Sequence, residues 1–322
     1  MAFSRDESWV WDFWVADDGE LFHLYYLFAP KSLGDPDLRH RNARIGHATS
    51  ADLVAWDDHG EVLRPGAPGD IDETATWTGS VVRGDDGLWR MFYTGSVFAS
   101  ATSTSNIESI GVATSDDLYT WSKRPLALRA DPRWYETLGS SEWPEEAWRD
   151  PWVFRDPDQA GWHMLITARS RTGAVRSRGV IGHAFSEDLE SWEVRPPLSA
   201  LSTGFVHLEV PQIVEVEGRR CLIFSAGVND LSEPGAGLGG TWVLDDVAPV
   251  GPYPIESAVP LTDQSLYSGR IVHDRDGMAR LLAFELASDG GEFGGRISDP
   301  LPLRRGVDGS VNVSLERAGT ES

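Results

Sequence analysis

The chain contains 322 residues, of which 41% are hydrophobic and 24% are charged, a balance typical of a soluble globular protein and too apolar for a disordered one. Asp and Glu number 50 against 28 Lys and Arg, so the formal net charge of −22 repels phosphate backbones and argues against nucleic-acid binding. The chain has no run of about 18 apolar residues, so the sequence predicts no membrane span.

The N-terminus and the cysteine count both bear on where in the cell we expect the protein to be found. Residues 1–7 contain no basic region that leads into an apolar stretch, so we expect no secretory signal. Cys221 is the single cysteine, which excludes an internal disulfide, and its apolar neighbours predict a buried core thiol. Together these features favour a cytoplasmic protein.

One pattern, G-x-A-x-S-x-D-L-x-x-W, recurs three times. Its copies begin at Gly46, Gly111 and Gly182, which are 65 and 71 residues apart. A tight-turn signal between two apolar strands precedes each copy, and the tryptophan of each copy opens a further strand. Each repeat therefore predicts a unit of four strands, in which the Ser, Asp and Trp staple the turn against the outer strand.

Two weaker units follow the three clear repeats. In the fourth, strands 209–216 and 220–226 flank a Glu-Gly turn, and in the fifth, strands 269–273 and 279–285 flank an Asp-Gly turn. The sequence therefore predicts an all-β fold, a single five-bladed β-propeller over residues 1–322 with four-stranded antiparallel blades. A sandwich of small sheets is the competing fold, and the length of the repeat argues against it.

Three acids stand at predicted blade starts, where the first strand of a blade lines the central channel. Asp12 lies among three tryptophans, Asp150 follows Arg149, and Glu209 interrupts an apolar run, where a carboxylate needs a partner or a chemical task. Paired carboxylates are what glycoside hydrolysis requires, one as acid and one as base or nucleophile. The three acids are therefore candidate catalytic residues. The aromatic candidates for stacking on a sugar are Trp11, Trp14, Trp77, Trp148 and Trp152.

Six short motifs follow one another along the chain. They are W-D-F-W at 11–14, I-G-H-A-T-S-A-D-L at 45–53 with Trp56, W-T-G-S at 77–80, M-F-Y-T-G at 91–95, R-D-P at 149–151 and L-E-V-P at 208–211. Their order resembles that of the five-bladed propeller glycosidases acting on furanosides, the clan that unites glycoside hydrolase families 32 and 68. Families 43 and 62 share this fold. The likeness covers most of the chain.

The resemblance implies a role for each acid. Asp12 would be the nucleophile, Glu209 the general acid/base and Asp150 a stabiliser that holds sugar hydroxyls, while Arg149 would help to bind the same sugar. The reaction would retain the anomeric configuration through a covalent glycosyl-enzyme. We expect Asp12 to stay ionised, and burial beside Asp12 to raise the pKa of Glu209.

Other residues at blade starts are weaker candidates for the substrate site: Ser80 of the second blade, and Gln264 and Tyr267 of the fifth. No histidine spacing suits a metal site, so we predict no metal, and we predict no cofactor. The acid cluster at residues 70–73 is interpreted as a solvated loop, with a calcium site as the alternative.

Departures from the resembled families leave the substrate open. Few residues follow Arg305, so we expect no C-terminal β-sandwich of the family 32 kind, and Val210 replaces the usual cysteine beside the acid. We predict hydrolysis of a small carbohydrate, a terminal β-fructofuranoside such as sucrose or a short fructo-oligosaccharide. The alternatives are fructosyl transfer to a sugar acceptor, an inverting family 43-like furanosidase or xylosidase acting on, for example, an arabinofuranoside, and a non-catalytic carbohydrate-binding propeller. The oligomeric state stays open.

Overall fold

The computed structural model describes residues 2–235, 237–287 and 293–314. Within these ranges the chain forms 22 β-strands, which assemble into five antiparallel sheets. No helix in the same ranges is long and apolar enough to cross a membrane. The described helical segments are short 3₁₀ turns at Lys31–Leu33, Pro36–Asn42, Val175–Ser177, Val228–Asp230 and Ile255–Ser257.

The N-terminal strand β1 (Phe3–Ser4) is followed by four sheets, each with its four strands paired in chain order. Blade one contains β2 (Ser8–Asp17), β3 (Phe22–Pro30), β4 (Arg44–Ser50) and β5 (Asp57–Leu63). Blade two contains β6 (Ala75–Arg83), β7 (Trp89–Phe98), β8 (Asn106–Ser115) and β9 (Ser122–Leu128). Blade three contains β10 (Trp148–Arg155), β11 (Trp162–Arg169), β12 (Gly179–Ser186) and β13 (Glu193–Arg195). Blade four contains β14 (Glu209–Val216), β15 (Arg219–Ala226), β16 (Gly240–Asp245) and β17 (Val259–Pro260).

Blade five closes the ring with strands from distant parts of the chain. It contains β18 (Leu266–His273), β19 (Ala279–Glu285), β20 (Arg296–Ile297), β21 (Leu301–Arg305) and β22 (Val311–Val313), together with β1. The third position beside β19 is shared by β20 and β21, and the fourth is shared by β1, which pairs with β20, and β22, which pairs with β21. The first strands of neighbouring blades contact one another around the ring. The predicted five-bladed propeller is confirmed.

Apolar clusters fill the interfaces between neighbouring blades. Phe92 of blade two packs in one cluster with Trp148 and Met164 of blade three, and Leu282 of blade five packs with Phe13 of blade one. Three further clusters join the remaining neighbours in the same way. Burial of these side chains supplies the main driving force for closing the ring, because the blades share no single central core.

The repeated Ser-x-Asp-Leu segments make the same turn in the first three blades. Asp52 Oδ1 accepts hydrogen bonds from Ser50 Oγ and from the N–H groups of Val54 and Ala55, each at 2.9 Å. The same bonds recur in the other two copies, and the leucine of every copy has a φ of 65°. The predicted role of the Ser and Asp as turn staples is confirmed, because they pair backbone groups that the turn leaves free.

A β-bulge interrupts the first strand of every blade. The pairing with the second strand shifts between Trp11 and Phe13, Trp77 and Gly79, Arg149 and Trp152, Glu209 and Gln212, and Tyr267 and Arg270. A bulge leaves an extra residue unpaired and re-aims its side chain. The bulges therefore position the polar groups described next.

Candidate active site

Asp12 lies in the bulge of blade one, between two hydroxyl donors from neighbouring blades. Ser268 Oγ of blade five donates to Asp12 Oδ1 at 2.6 Å, and Thr78 Oγ1 of blade two donates to Asp12 Oδ2 at 2.8 Å. Burial and the nearby Asp150 carboxylate raise the pKa of Asp12 to about 6, although the two hydrogen bonds lower it. Both oxygens of this carboxylate are therefore held in place.

Asp150 lies in the bulge of blade three with a φ of 58°, in the left-handed region that few non-glycine residues adopt. Its N–H donates to Thr94 Oγ1 at 2.9 Å, while its Oδ2 accepts from Thr167 Oγ1 at 2.8 Å and from the N–H of Val210 at 3.1 Å. Burial raises the pKa of Asp150 above its ordinary value, although Arg149 lowers it. Contacts from blades two, three and four thus hold the backbone of Asp150 in this strained conformation.

Glu209 begins the first strand of blade four and accepts from two strong donors. Arg149 Nη2 lies 2.7 Å from Glu209 Oε1, and the Tyr267 hydroxyl donates to Oε2 at 2.5 Å. Burial raises the pKa of Glu209, but Arg149, His207 and the Tyr267 hydrogen bond outweigh burial and bring the pKa below its ordinary value. The expectation of a raised pKa is therefore wrong for this structure, because a cation lies against the carboxylate.

Arg149 is surrounded by carboxylates. Its Nη1 lies 3.1 Å from Glu108 Oε2 and 3.5 Å from Glu145 Oε1, and His207 Nε2 lies 2.8 Å from the same Glu145 oxygen. Glu108 is fully buried and also accepts from the N–H of Trp148 at 2.9 Å. The guanidinium thus joins a buried acid of blade two to Glu209 of blade four.

Two of the five predicted stacking tryptophans, Trp11 and Trp77, flank His40. The rings of Trp11 and Trp77 approach the His40 ring edge to face, with centroids 6.4 Å and 6.3 Å away. Trp11 is nevertheless only 2% exposed, and Trp14 is fully buried and stacks on Tyr25 with centroids 5.9 Å apart. The structure does not bring Trp14 to the site, because its ring fills the apolar cluster between blades one and two.

The two predicted stacking tryptophans of blade three also serve packing. Trp148 is fully buried against Tyr135, with ring centroids 4.7 Å apart, and Trp152 is half-buried with the Arg270 guanidinium 5.0 Å from its ring centroid.

Ser80 and Gln264, which were expected to line the substrate site, hold backbone groups instead. Ser80 is 2% exposed, and its Oγ accepts from the N–H of Val153 at 3.1 Å, between blades two and three. Gln264 Oε1 accepts from the N–H of Val228 at 2.9 Å and so secures a loop of blade four. The structure places both side chains in supporting positions, whereas it brings Arg149 and Tyr267 to the acid cluster.

Sequence reasoning missed several groups of the cluster. Thr78 lies inside the W-T-G-S segment, and Ser268 directly follows a singled-out residue, but hydroxyls carry little signal in a sequence. Glu108 is an acid within an apolar strand, the same signal that identified Glu209, and could have been found. Its omission left the countercharge of the arginine unrecognised.

Arg270 on β18 adds a buried positive charge beneath the acids. It is 1% exposed, and its Nη1 donates to the carbonyl of Pro211 at 3.0 Å. Burial lowers the pKa of Arg270 to about 10, and the nearby carboxylates of Asp150 and Asp12 partly oppose this shift. Arg270 therefore offsets part of the negative charge that three acids concentrate in one channel.

The described residues contain no group of three or more His, Cys, Asp or Glu that could hold a metal ion. In the acid cluster at residues 70–73, Asp72 is buried and accepts from Lys123 Nζ at 2.5 Å and from the Tyr93 hydroxyl at 3.0 Å. Glu73 Oε2 accepts from the N–H of Gly69 at 2.6 Å. This cluster is thus partly buried and paired with donors of the protein itself, which differs from the solvated loop that we expected.

The arrangement combines three carboxyl groups with different partners, which come from the first strands of blades one, three and four. Asp12 is a carboxylate held by two hydroxyls, Glu209 is a carboxyl group held by a cation and a phenol, and Asp150 is a third carboxylate influenced by both. Such a set can attack an electrophilic carbon, deliver a proton and bind hydroxyl groups.

Comparison with known proteins agrees with this chemistry. Residues 14–241 match the N-terminal domain of glycosyl hydrolases family 32. A sucrose-6-phosphate hydrolase of Pediococcus pentosaceus is 29% identical over 209 residues, which cover 64% of this chain and 36% of that protein. An insoluble β-fructofuranosidase isoenzyme of Arabidopsis thaliana is 27% identical over 199 residues, which cover 61% of this chain and 30% of that protein. The chain thus spans about a third of the length of these curated relatives.

Solved structures share the fold over nearly the whole chain. An inulosucrase of Halalkalicoccus jeotgali bound to kestose has a TM-score of 0.78 at 23% identity, covering 97% of this chain and 90% of that one. The full-length β-fructofuranosidase of Microbacterium saccharophilum has a TM-score of 0.76 at 18% identity, covering 98% of this chain and 76% of that one. Because the family match extends over more than half of the sequence, the chain belongs to glycosyl hydrolase family 32.

Proposed function

We propose that this protein is a retaining glycoside hydrolase that cleaves terminal β-fructofuranosides such as sucrose or short fructo-oligosaccharides. The observation that carries the proposal is the convergence of Asp12, Asp150 and Glu209 from three blades on one cluster, each with at least one carboxyl oxygen held by a donor. A non-catalytic sugar-binding propeller has no need to concentrate buried acids in this way, because each costs desolvation energy.

Asp12 is the nucleophile in this proposal. Ser268 and Thr78 fix both of its oxygens, which leaves the carboxylate oriented for attack on the anomeric carbon of the fructosyl group. The C–O bond to the leaving group breaks as the bond to Asp12 forms, and a glycosyl-enzyme results. Water then attacks the same carbon from the side that the leaving group vacated, so configuration is retained.

Glu209 is the general acid in the first step and the general base in the second. In the free site the pKa of Asp12 lies near 6 while that of Glu209 is below its ordinary value, so a single shared proton resides mainly on Asp12. The reactive form is therefore the minor one, in which Glu209 carries the proton and Asp12 is ionised. Asp150 and Arg149 bind hydroxyls of the fructosyl group, and the Asp150 carboxylate stabilises the positive charge that develops on the sugar.

Names of relatives support the substrate class. The curated relatives include sucrose-6-phosphate hydrolases, a β-fructofuranosidase and an exo-inulinase of Meyerozyma guilliermondii, and all of these names refer to fructosides. The match of residues 14–241 begins beyond Asp12, so the nucleophile assignment relies on the geometry of the cluster and not on that match. Transfer of the fructosyl group to a second sugar is the same chemistry with another acceptor.

The test is sugar release from sucrose and short fructo-oligosaccharides by wild type and by Asp12→Asn. We expect release by the wild type and a loss of at least about 1,000-fold in kcat for the variant, since the nucleophile is gone. Asp17→Asn, at the exposed far end of the same strand, is the matched control and should remain active. NMR of the first anomer released distinguishes retention from inversion. Sugar release by Asp12→Asn at the wild-type rate would overturn the assignment.

A further inference from the structure

His40 lies at the edge of the acid cluster in the loop between β3 and β4. It belongs to the 3₁₀ turn Pro36–Asn42, whose first N–H group is capped by Asp35. The indole N–H of Trp77 donates to the His40 carbonyl at 2.8 Å, so blade two secures the backbone of this blade-one loop. The position of the residue is thereby fixed independently of its side chain.

The imidazole of His40 is open to solvent and stands between two aromatic rings. The rings of Trp11 and Trp77 meet it at interplanar angles of 69° and 77°. Among the described residues, none makes a hydrogen bond to either ring nitrogen of His40. A side chain that is held in place with both polar atoms unused is poised to meet a ligand.

The electrostatic surroundings keep this imidazole neutral. Partial desolvation by the flanking rings and the adjacent Arg39 guanidinium lower the pKa of His40 below its ordinary value. The charges of Glu209, Arg149 and Glu145 also act on the ring, so it lies within electrostatic range of the general acid. A neutral imidazole offers one N–H donor and one acceptor, the pair that recognises neighbouring sugar hydroxyls.

We propose that His40 binds hydroxyl groups of the departing sugar and so determines which leaving groups the enzyme accepts. The inference rests on the proposed fructosidase function. The leaving group must lie on the side of Glu209, which protonates its oxygen, and it must extend toward solvent in order to depart. His40 lies on that side, next to the partly exposed indole of Trp77, which can cover an apolar face of a pyranose. A methyl leaving group is too small to reach the imidazole.

The experiment compares two substrates with the same fructosyl group, sucrose and methyl β-fructofuranoside. His40→Phe retains an aromatic ring and removes both polar atoms. We expect its kcat/KM for sucrose to fall roughly 10-fold or more, since two hydrogen bonds are lost, and its kcat/KM for the methyl fructoside to stay within about twofold of wild type. His40→Gln restores a donor and an acceptor and should recover part of the sucrose activity. His273→Phe, at the exposed far end of β18, is the matched control.

Two outcomes would overturn the inference. One is an equal loss on both substrates in His40→Phe, which would indicate a structural or general catalytic role. The other is a kcat/KM for sucrose in His40→Phe that stays at the wild-type value. A wild type inactive on both fructosides would instead contradict the proposed function, so the two failures are distinguishable. Circular dichroism and the melting temperature establish that each variant is folded, which we expect because the side chain is exposed.

Discussion

Arg149 and Glu209 form an ion pair across the interface between blades three and four, with 2.7 Å between Nη2 and Oε1. The same guanidinium contacts Glu108 of blade two through Nη1 at 3.1 Å. One side chain therefore connects three blades and lowers the pKa of the proposed general acid. Planarity and multiple donors make arginine suitable for such a bridge.

Arg149→Lys tests this bridge. Lysine keeps one positive charge but has no planar fork that reaches Glu108 and Glu209 at once. We expect kcat/KM to fall by at least about 100-fold, which corresponds to ~2.7 kcal/mol. The acidic limb of the pH profile should also move to higher pH, because Glu209 loses a donor that lowers its pKa. Steady-state kinetics on sucrose from pH 3 to 8 measure both effects, and an unmoved acidic limb would contradict the assignment.

The pH dependence of the wild type follows from the two carboxyl groups. Activity requires one proton shared by Asp12 and Glu209, and the higher of their two pKa values is that of Asp12, at about 6. We expect kcat/KM to be bell-shaped and to decline about 10-fold per pH unit above roughly pH 6, where the shared proton is lost. A profile that stays level up to pH 8 would show that the proton is held elsewhere.

Thr78→Val should shift the alkaline limb. Thr78 donates to Asp12 Oδ2, and this hydrogen bond lowers the pKa of Asp12. Without this hydrogen bond, the effect of burial on the pKa of Asp12 is opposed less, so that pKa should rise. The decline in kcat/KM should therefore begin at higher pH, by about 0.5 to 1 unit. Valine is nearly isosteric with threonine, which limits other changes. Thr76→Val is the control and should leave the limb in place, because Thr76 is a buried threonine two residues earlier whose hydroxyl donates to the carbonyl of Ala43 at 3.4 Å.

Blades one and three each contain an Asp–His–His chain outside the site, in which both histidines are buried. His23 Nδ1 lies 3.0 Å from His47 Nε2 and its Nε2 lies 3.1 Å from Asp18, while His163 Nδ1 lies 2.9 Å from His183 Nε2. Burial lowers the pKa of His47 and of His183 to about 3. Both are therefore neutral in the folded protein at pH 5 but would take up protons on unfolding.

This difference makes the fold sensitive to acid. The folded-state pKa of His47 lies below its unfolded value of 6.5, so its contribution to stability is present above pH 6.5 and is lost as the pH falls toward 3. Between pH 4 and 6 we expect His47→Gln to reduce the pH slope of the unfolding free energy by up to ~1.4 kcal/mol per pH unit. Urea unfolding at several pH values measures the slope, and equal slopes for variant and wild type would refute the linkage.

The repeat predicted the propeller because its residues form their turn with neighbours in the chain. Asp52 and its counterparts bond to backbone N–H groups two and three residues away, so the spacing of the motif alone specifies the turn. The closure of the ring by β1 was not predictable in this way. Two residues at the N-terminus pair with Arg296–Ile297, and no local pattern encodes a partner so distant in the chain.

Trp11 and Trp14 show where the pattern was insufficient. Both stand near Asp12 in the sequence and both are buried, yet the Trp11 ring meets His40 whereas the Trp14 ring stacks on Tyr25. The bulge between Trp11 and Phe13 shifts the alternation of the strand, so spacing does not tell which face each ring occupies.

The sequence by itself determined the number of blades and the three acids that meet in the channel, because the repeats and the blade starts are local patterns of neighbouring residues. Only the tertiary structure decided how the protons are distributed among those acids. Asp12 receives hydroxyls from blades two and five, whereas Glu209 receives the guanidinium of blade three. A pKa depends on burial and on charges brought close by folding, and these groups lie 60 or more residues away in the chain.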